Sequence, residues 1–266
     1  MAKVFLADIA RCSGCYNCQL SCKDEHCEND WRPYAAPQPR TGQFWCKVHD
    51  HVRGTIPKVK IHYITGMCAH CADAACMRAC PENAIVRRPD QLVLIDPQKC
   101  TGCGACADAC YFDDVIYMNQ ELKLAQKCTG CVHLLDNGRT QPRCVEACPT
   151  DALRWIDEED LPEDAHPIRD GIGARLYYRN IPGRFIGGLL YDPDEEEVII
   201  GAKCTLTGAG TVISTESDSW GDFWFKNLKE GSYELTVSAD GYRSFVKTGL
   251  VLGEDINLGD IPMERD

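Results

Sequence analysis

The 266-residue sequence predicts an α+β chain in two parts, a cysteine-built front and an antiparallel β-sandwich at the back. Three observations predict it. Eighteen of the 19 cysteines lie in the first 148 residues, and only Cys204 lies beyond them. Short apolar runs, "KVFLADI" and "QLVLID", precede two of the cysteine groups and read as strands. From about Arg184 the chain turns to alternating stretches such as "SYELTVSADGY", bounded by turn residues.

The front part is organised by four cysteine groups. They are Cys12, Cys15, Cys18, Cys22; then Cys68, Cys71, Cys76, Cys80; then Cys100, Cys103, Cys106, Cys110; and last Cys128, Cys131, Cys144, Cys148, split by the inserted loop "VHLLDNGRTQPR". Aligning Asp8 and Cys12 with Asp96 and Cys100 superposes all the cysteines of groups one and three. Groups two and four share the endings "CPENAI" and "CPTDAL". The front half therefore reads as two ferredoxin-like units, one nested inside the other. Closely spaced cysteines wrap one corner of an iron–sulfur cubane, and glycines such as Gly14, Gly102, Gly104 and Gly130 let the backbone turn tightly toward sulfur. The fourth cysteine points away, and in two-cluster ferredoxins it ligates the neighbouring cluster. Nesting then pairs group one with group four and group two with group three. Zinc sites use two cysteine pairs each, which four complete quartets fit badly. Disulfides need an oxidising compartment and more favourable spacing. Cys27, Cys46 and Cys204 stand outside the quartets and read as small buried apolar side chains.

The net charge of −12 is spread over both parts with no basic stripe, which argues against nucleic acid as a partner. No run of 18 apolar residues is present to form a transmembrane segment. The start, "MAKVFLADIARC", reaches a cysteine too soon for a secretion signal. A cytoplasmic location is expected, with export on a signal-bearing partner as the alternative.

The sixteen quartet cysteines resemble those of the electron-transfer beta subunits of the dimethyl sulfoxide reductase family of molybdopterin oxidoreductases, over about residues 1–180. The resemblance implies four [4Fe–4S] clusters. One is held by Cys12, Cys15, Cys18 and Cys148, and its neighbour by Cys128, Cys131, Cys144 and Cys22. The others are held by Cys68, Cys71, Cys76 and Cys110, and by Cys100, Cys103, Cys106 and Cys80. It also implies a large catalytic subunit carrying bis-molybdopterin guanine dinucleotide with molybdenum or tungsten, and an external electron donor or acceptor. "CKDEHCENDW", "ARLYYRNIPGRF" and the β-rich tail are similar to the pyrogallol–phloroglucinol transhydroxylase and resorcinol hydroxylase-like group of small subunits. The transhydroxylase small subunit lacks a complete third cysteine group, whereas Cys100, Cys103, Cys106 and Cys110 are all present here. Four intact quartets imply net electron exchange. The alternative is a transhydroxylase subunit whose clusters serve mainly as scaffold.

The domain expectation is a four-cluster region over 1–165 with an insert at 23–67, a linker at 166–183, and a sandwich over 184–266. The insert carries Trp31, Tyr34, Phe44, Trp45 and Tyr63, read either as cover for the clusters or as a docking surface. His26, His49, His51, His62 and His70 are not read as ligands, though a histidine beside a cluster can tune its potential. The tail resembles the carboxypeptidase regulatory-like or Cna-B-like fold, which implies a bracing role. No nucleophile triad, P-loop or dinucleotide fingerprint appears, so no catalytic residue is assigned to this chain.

Overall fold

The computed structural model describes residues 2–266 and divides into two compact units. The first comprises residues 2–50 and 62–181. Its central strand is Lys3–Asp8, in which Val4, Phe5 and Leu6 are wholly buried. Burial on both faces explains why this run is continuously apolar rather than alternating. It pairs antiparallel with Leu153–Asp157 and parallel with Leu176–Arg179. Strand His166–Pro167 pairs with Leu176–Arg179 and completes this sheet. The segment 166–183 is therefore no bare linker, because two of the sheet's four strands come from it. Its proline-interrupted sequence hides that role, since its pairing partner Lys3–Asp8 lies at the other end of the unit.

The internal repeat is visible in the hydrogen-bond register. The Asp8 N–H donates to the Ala152 carbonyl at 2.7 Å, and the Asp96 N–H donates to the Ala84 carbonyl at 2.8 Å. Next to these, Ala7 pairs with Leu153 and Ile95 with Ile85, both antiparallel. The helix Asn17–His26, carrying Cys18 and Cys22, packs on Arg143–Glu146, which carries Cys144. Likewise Ala75–Ala79 with Cys76 packs on Ala105–Asp108 with Cys106. The tight turns require glycine. A Cβ at Gly102, where φ is +70°, would sit 2.3 Å from the Lys123 carbonyl oxygen, and one at Gly130 would strike Leu92.

The second unit comprises residues 182–266 with residues 51–61. Two four-stranded sheets share one core. One contains Arg184–Asp192, Glu197–Val198, Asp222–Leu228 and Ile256–Pro262; the other runs in the order Thr211–Glu216, Lys203–Gly208, Gly231–Ser238, Phe245–Leu252. Tyr233, Leu235 and Val237 point inward while Ser232, Glu234 and Ser238 are exposed, the alternation of a half-buried strand. Their partners include Ile186, Leu206, Phe223, Phe225 and Cys204. Each such large apolar side chain contributes roughly 2 kcal/mol by burial. The unit is not wholly antiparallel as the sequence suggests, because Arg184–Asp192 and Ile256–Pro262 run parallel. Their strands lie at opposite ends of the unit's sequence, so no hairpin signal announces the pairing.

Residues 51–61 are the tip of a hairpin formed by Cys46–Thr55 and Lys58–Met67. Within the second unit, the buried Lys58 ammonium pairs with Asp222, and Lys60 lies 4.0 Å from the Trp224 ring centre. Asn257 Nδ2 donates to the carbonyls of Thr55 and Ile56 at 3.2 and 3.3 Å. Asp222→Asn leaves a buried ammonium without its counter-charge and is expected to cost about 3 kcal/mol in denaturant unfolding of this unit. Lys58→Met, which removes the charge as well, should cost markedly less. Equal losses would show that the pair is not buried in solution.

Asp192 closes the same unit. Its buried carboxylate accepts from the Tyr242 hydroxyl at 2.8 Å, from Arg265 at 2.7 and 2.8 Å, and from the backbone of Asp194 and Glu195. Burial pushes this acid up, but the five donors outweigh it and hold the pKa at about 2. A depressed acid stabilises the fold above its unfolded value of about 3.9, and that contribution is lost as pH falls through about 2. Asp192→Asn should therefore melt lower than the parent at pH 7. The gap should close between pH about 4 and about 2, and a gap unchanged by acid would show that the carboxylate charge plays no part.

Candidate metal centres

The structure gathers the sixteen quartet cysteines into four sets. Cys68, Cys71 and Cys76 line a small cavity, and the fourth sulfur on it is Cys110 from the next group. Cys100, Cys103 and Cys106 line a second, where the fourth is Cys80. Cys12 lies among Cys18, Cys148 and Cys15, and Cys22 lies among Cys144, Cys131 and Cys128. In each case the odd cysteine comes from the paired group. Cys22 rides on the helix that packs against the one carrying Cys144, and Cys80, Cys110 and Cys148 each follow just beyond the C-terminal end of a short helix that carries another quartet cysteine.

The chemistry of these sets suits a polynuclear cation. Burial, then the charge of neighbouring thiolates, pushes Cys22 and Cys131 well above the usual thiol range and Cys128 up to about 12. Cys71 and Cys106 are raised to about 11 for the same reasons. Four thiolates cannot share such a space without strong positive charge between them. The backbone already offers donors to sulfur. Ala84 donates to Cys80 and Ala125 to Cys100, each at 3.3 Å, as does Gly130 to Cys128. His70 N–H donates to Cys68 and Leu153 N–H to Cys148, both at 3.4 Å. Among the described residues, no three or more His, Cys, Asp or Glu side chains converge closely enough to hold a single ion. Cavities bordered by four sulfurs and edged by N–H donors fit cubane clusters.

The sets stand in file. Cys46, read from sequence as a filler, is buried, and its neighbours Cys144 on one side and Cys18 on the other push its thiol well above the usual range. It thus joins the Cys12 set to the Cys22 set. Cys128 of the latter lies near Cys68, and Cys76 lies near Cys106. The order is Cys12 set, Cys22 set, Cys68 set, Cys100 set. Cys15 at one end and Cys103 at the other are exposed, whereas Cys22, Cys128, Cys131 and Cys144 are all buried. Of the other cysteines outside the quartets, Cys204 lies in the core of the second unit and Cys27 is partly buried.

Several residues around the sets were not legible as such. His26 is buried with Nε2 3.8 Å from Cys131 Sγ, and its ring lies 4.6 Å from that of Trp45 and 5.2 Å from His133. Burial, then the neighbouring His133, lowers its pKa to about 3. His133 pairs with Glu25 at 3.0 Å and stacks on Trp31 at 4.3 Å. Trp31 and Trp45, from the insert, thus cover the Cys22 set rather than standing free. His70 is buried beside the Cys68 set, and Lys127 is buried on the same cavity. The available signal was local: His70 stands inside "CAHC", Lys127 precedes Cys128, and His133 follows Cys131 by two residues.

Comparison with known proteins agrees with these features. Residues 59–158 match the family model of the 4Fe-4S dicluster domain, and residues 186–264 match the carboxypeptidase regulatory-like domain. The chain is 34% identical over 277 residues to the pyrogallol hydroxytransferase small subunit of Pelobacter acidigallici, covering 96% of this chain and 97% of that one. It is 33% identical to the probable anaerobic dimethyl sulfoxide reductase chain YnfG of Escherichia coli, over 59% of this chain and 74% of that one. One subunit of the tetrathionate reductase of Salmonella typhimurium is 34% identical, over 70% and 75%. No helix among the described residues is long and apolar enough to cross a membrane. A chain with these cysteine sets, a dicluster domain and a relative matched along nearly its whole length belongs to the iron–sulfur electron-transfer subunits of the dimethyl sulfoxide reductase family.

Proposed function

We propose that this chain carries electrons between a large molybdopterin subunit, acting on a hydroxylated aromatic, and an external redox partner. The observation that carries this reading is the file of four cysteine sets, with the Cys22 set wholly buried and both ends exposed through Cys15 and Cys103. The ligands are Cys12, Cys15, Cys18 and Cys148; Cys22, Cys128, Cys131 and Cys144; Cys68, Cys71, Cys76 and Cys110; and Cys80, Cys100, Cys103 and Cys106. When bound, four [4Fe–4S] clusters supply one-electron transfer. The chain's own residues hold the thiolates, donate backbone N–H groups to sulfur, and keep water from the buried Cys22 set. It supplies no catalytic residue; the substrate chemistry belongs to the molybdenum or tungsten centre of the partner. The Cys15 end faces that partner and the Cys103 end faces the external donor or acceptor, with the complex working in the cytoplasm. The hydroxylated aromatic is supported by the whole-length relative, a pyrogallol hydroxytransferase small subunit. The same likeness favours a second reading, the small subunit of a non-net-redox transhydroxylase in which the clusters serve mainly as structural or scaffold elements.

Anaerobically purified chain should contain about sixteen iron atoms. Zinc as the main metal, or iron for half the sets only, would sink the assignment. Cys106→Ala should slow exchange with external dyes severalfold in the assembled complex while leaving substrate affinity of the large subunit within twofold. Cys15→Ala should instead block cluster reduction from the pterin side. Rapid-mixing absorbance from each end distinguishes them. A Cys106 variant that keeps the parent rate with external partners would favour the scaffold reading.

A further inference from the structure

His70 and Lys127 meet at the cavity of the Cys68 set. The His70 ring is only 1% exposed, and its Nδ1 accepts the Val93 backbone N–H at 3.0 Å. A backbone N–H can only donate, so Nδ1 presents a lone pair and the ring proton sits on Nε2. That Nε2 is buried and has no hydrogen-bond partner among the described residues. A buried donor left unpaired is rare and calls for an acceptor. The ring borders the space enclosed by Cys68, Cys71, Cys76 and Cys110, where the acceptor would be sulfur.

Lys127 supplies the second observation. It is only 3% exposed, and its ammonium donates to the carbonyls of Val93 and of Cys128. Among the described residues its hydrogen bonds run to carbonyl oxygens and none to a carboxylate. A buried cation without a carboxylate needs another source of negative charge. Cys76, Cys110 and Cys128 all lie within its electrostatic reach. Val93 ties the two groups together, since its N–H points to His70 and its carbonyl to Lys127.

We infer that His70 and Lys127 are tuning residues that raise the reduction potential of the centre in the Cys68 set, making it an electron-holding station inside the file. This rests on the cluster reading above. Reduction adds one electron and moves no proton, so the centre becomes one unit more negative. An N–H donor and a fixed cation both favour that reduced state. His70 acts on the Cys68 set alone, while Lys127 stands between it and the Cys22 set.

The test is an anaerobic redox titration of the complex with its large subunit, followed by low-temperature spin resonance. At the parent's midpoint, His70→Leu and Lys127→Met should each lower the reduced-to-oxidised ratio of one same centre about tenfold, which is about 59 mV for a one-electron couple. His70→Gln keeps an N–H near Nε2, and Lys127→Arg keeps the charge; both should stay within about threefold of the parent. Cys71→Ser should alter the spectrum of that same centre. Unchanged ratios in iron-replete His70→Leu and Lys127→Met would overturn the inference, as would a shift in a centre that Cys71→Ser leaves alone. Loss of the centre in all four variants would overturn it too, by assigning the pair to assembly. The unmodified chain separates the two readings: without iron there, the cluster reading itself fails.

Discussion

Sixteen thiolates crowded into one small unit repel one another, and the first unit is arranged around that repulsion. An ordinary core gains stability from apolar contact alone. Here Cys22, Cys128, Cys131 and Cys144 are buried, yet burial and mutual charge oppose their ionisation. The sets become favourable once a polynuclear cation lies between them. The crossing of the fourth cysteine follows from this constraint. It makes each metal site a joint product of two distant segments, so the helices bearing Cys22 and Cys144 must pack together, as must those bearing Cys76 and Cys106. Metal binding and tertiary structure are then one equilibrium.

The surroundings of the sets divide the labour. Backbone N–H groups reach sulfur in every set that offers a turn or strand end beside it. The two inner sets also have side-chain neighbours. His26, Trp45, His133 and Trp31 form an aromatic layer over the Cys22 set, whereas His70 and Lys127 attend the Cys68 set. Cys46 stands between the Cys12 and Cys22 sets, its thiol raised by a cysteine of each. The outer sets are more open, through Cys15 and Cys103. A file with one wholly buried set and accessible ends differs physically from four equivalent staples, which would have no reason to be so ordered.

The cysteine groups were legible in sequence because their spacing is a local signature and because the groups repeat. The sandwich strands were legible where one face is buried, as in Gly231–Ser238. What escaped is non-local. Strand His166–Pro167 is two residues long and carries no periodicity, and Leu176–Arg179 finds its partner at Lys3–Asp8. The parallel pairing of Ile256–Pro262 with Arg184–Asp192 has no turn to mark it. The hairpin Cys46–Met67 was read as part of the insert although Val59, Ile61 and Tyr63 alternate with Lys58, Lys60 and His62, so a strand signal was present there. Lys127 escaped because a titratable residue beside a ligand looks like any surface residue until its burial is known, and His70, one of five histidines named in the sequence, could not be placed at a particular set without its burial.

That hairpin bears on how the protein can be made. Its tip, residues 51–61, belongs to a unit whose remaining residues begin at 182. On the ribosome the tip emerges before three of the four cysteine groups, and Lys58 then waits for Asp222 at the far end of translation. The second unit is thus discontinuous in the gene. A break at Pro182 does not free an independent module, because it strands the tip on the other fragment with a lysine built for a carboxylate it no longer has.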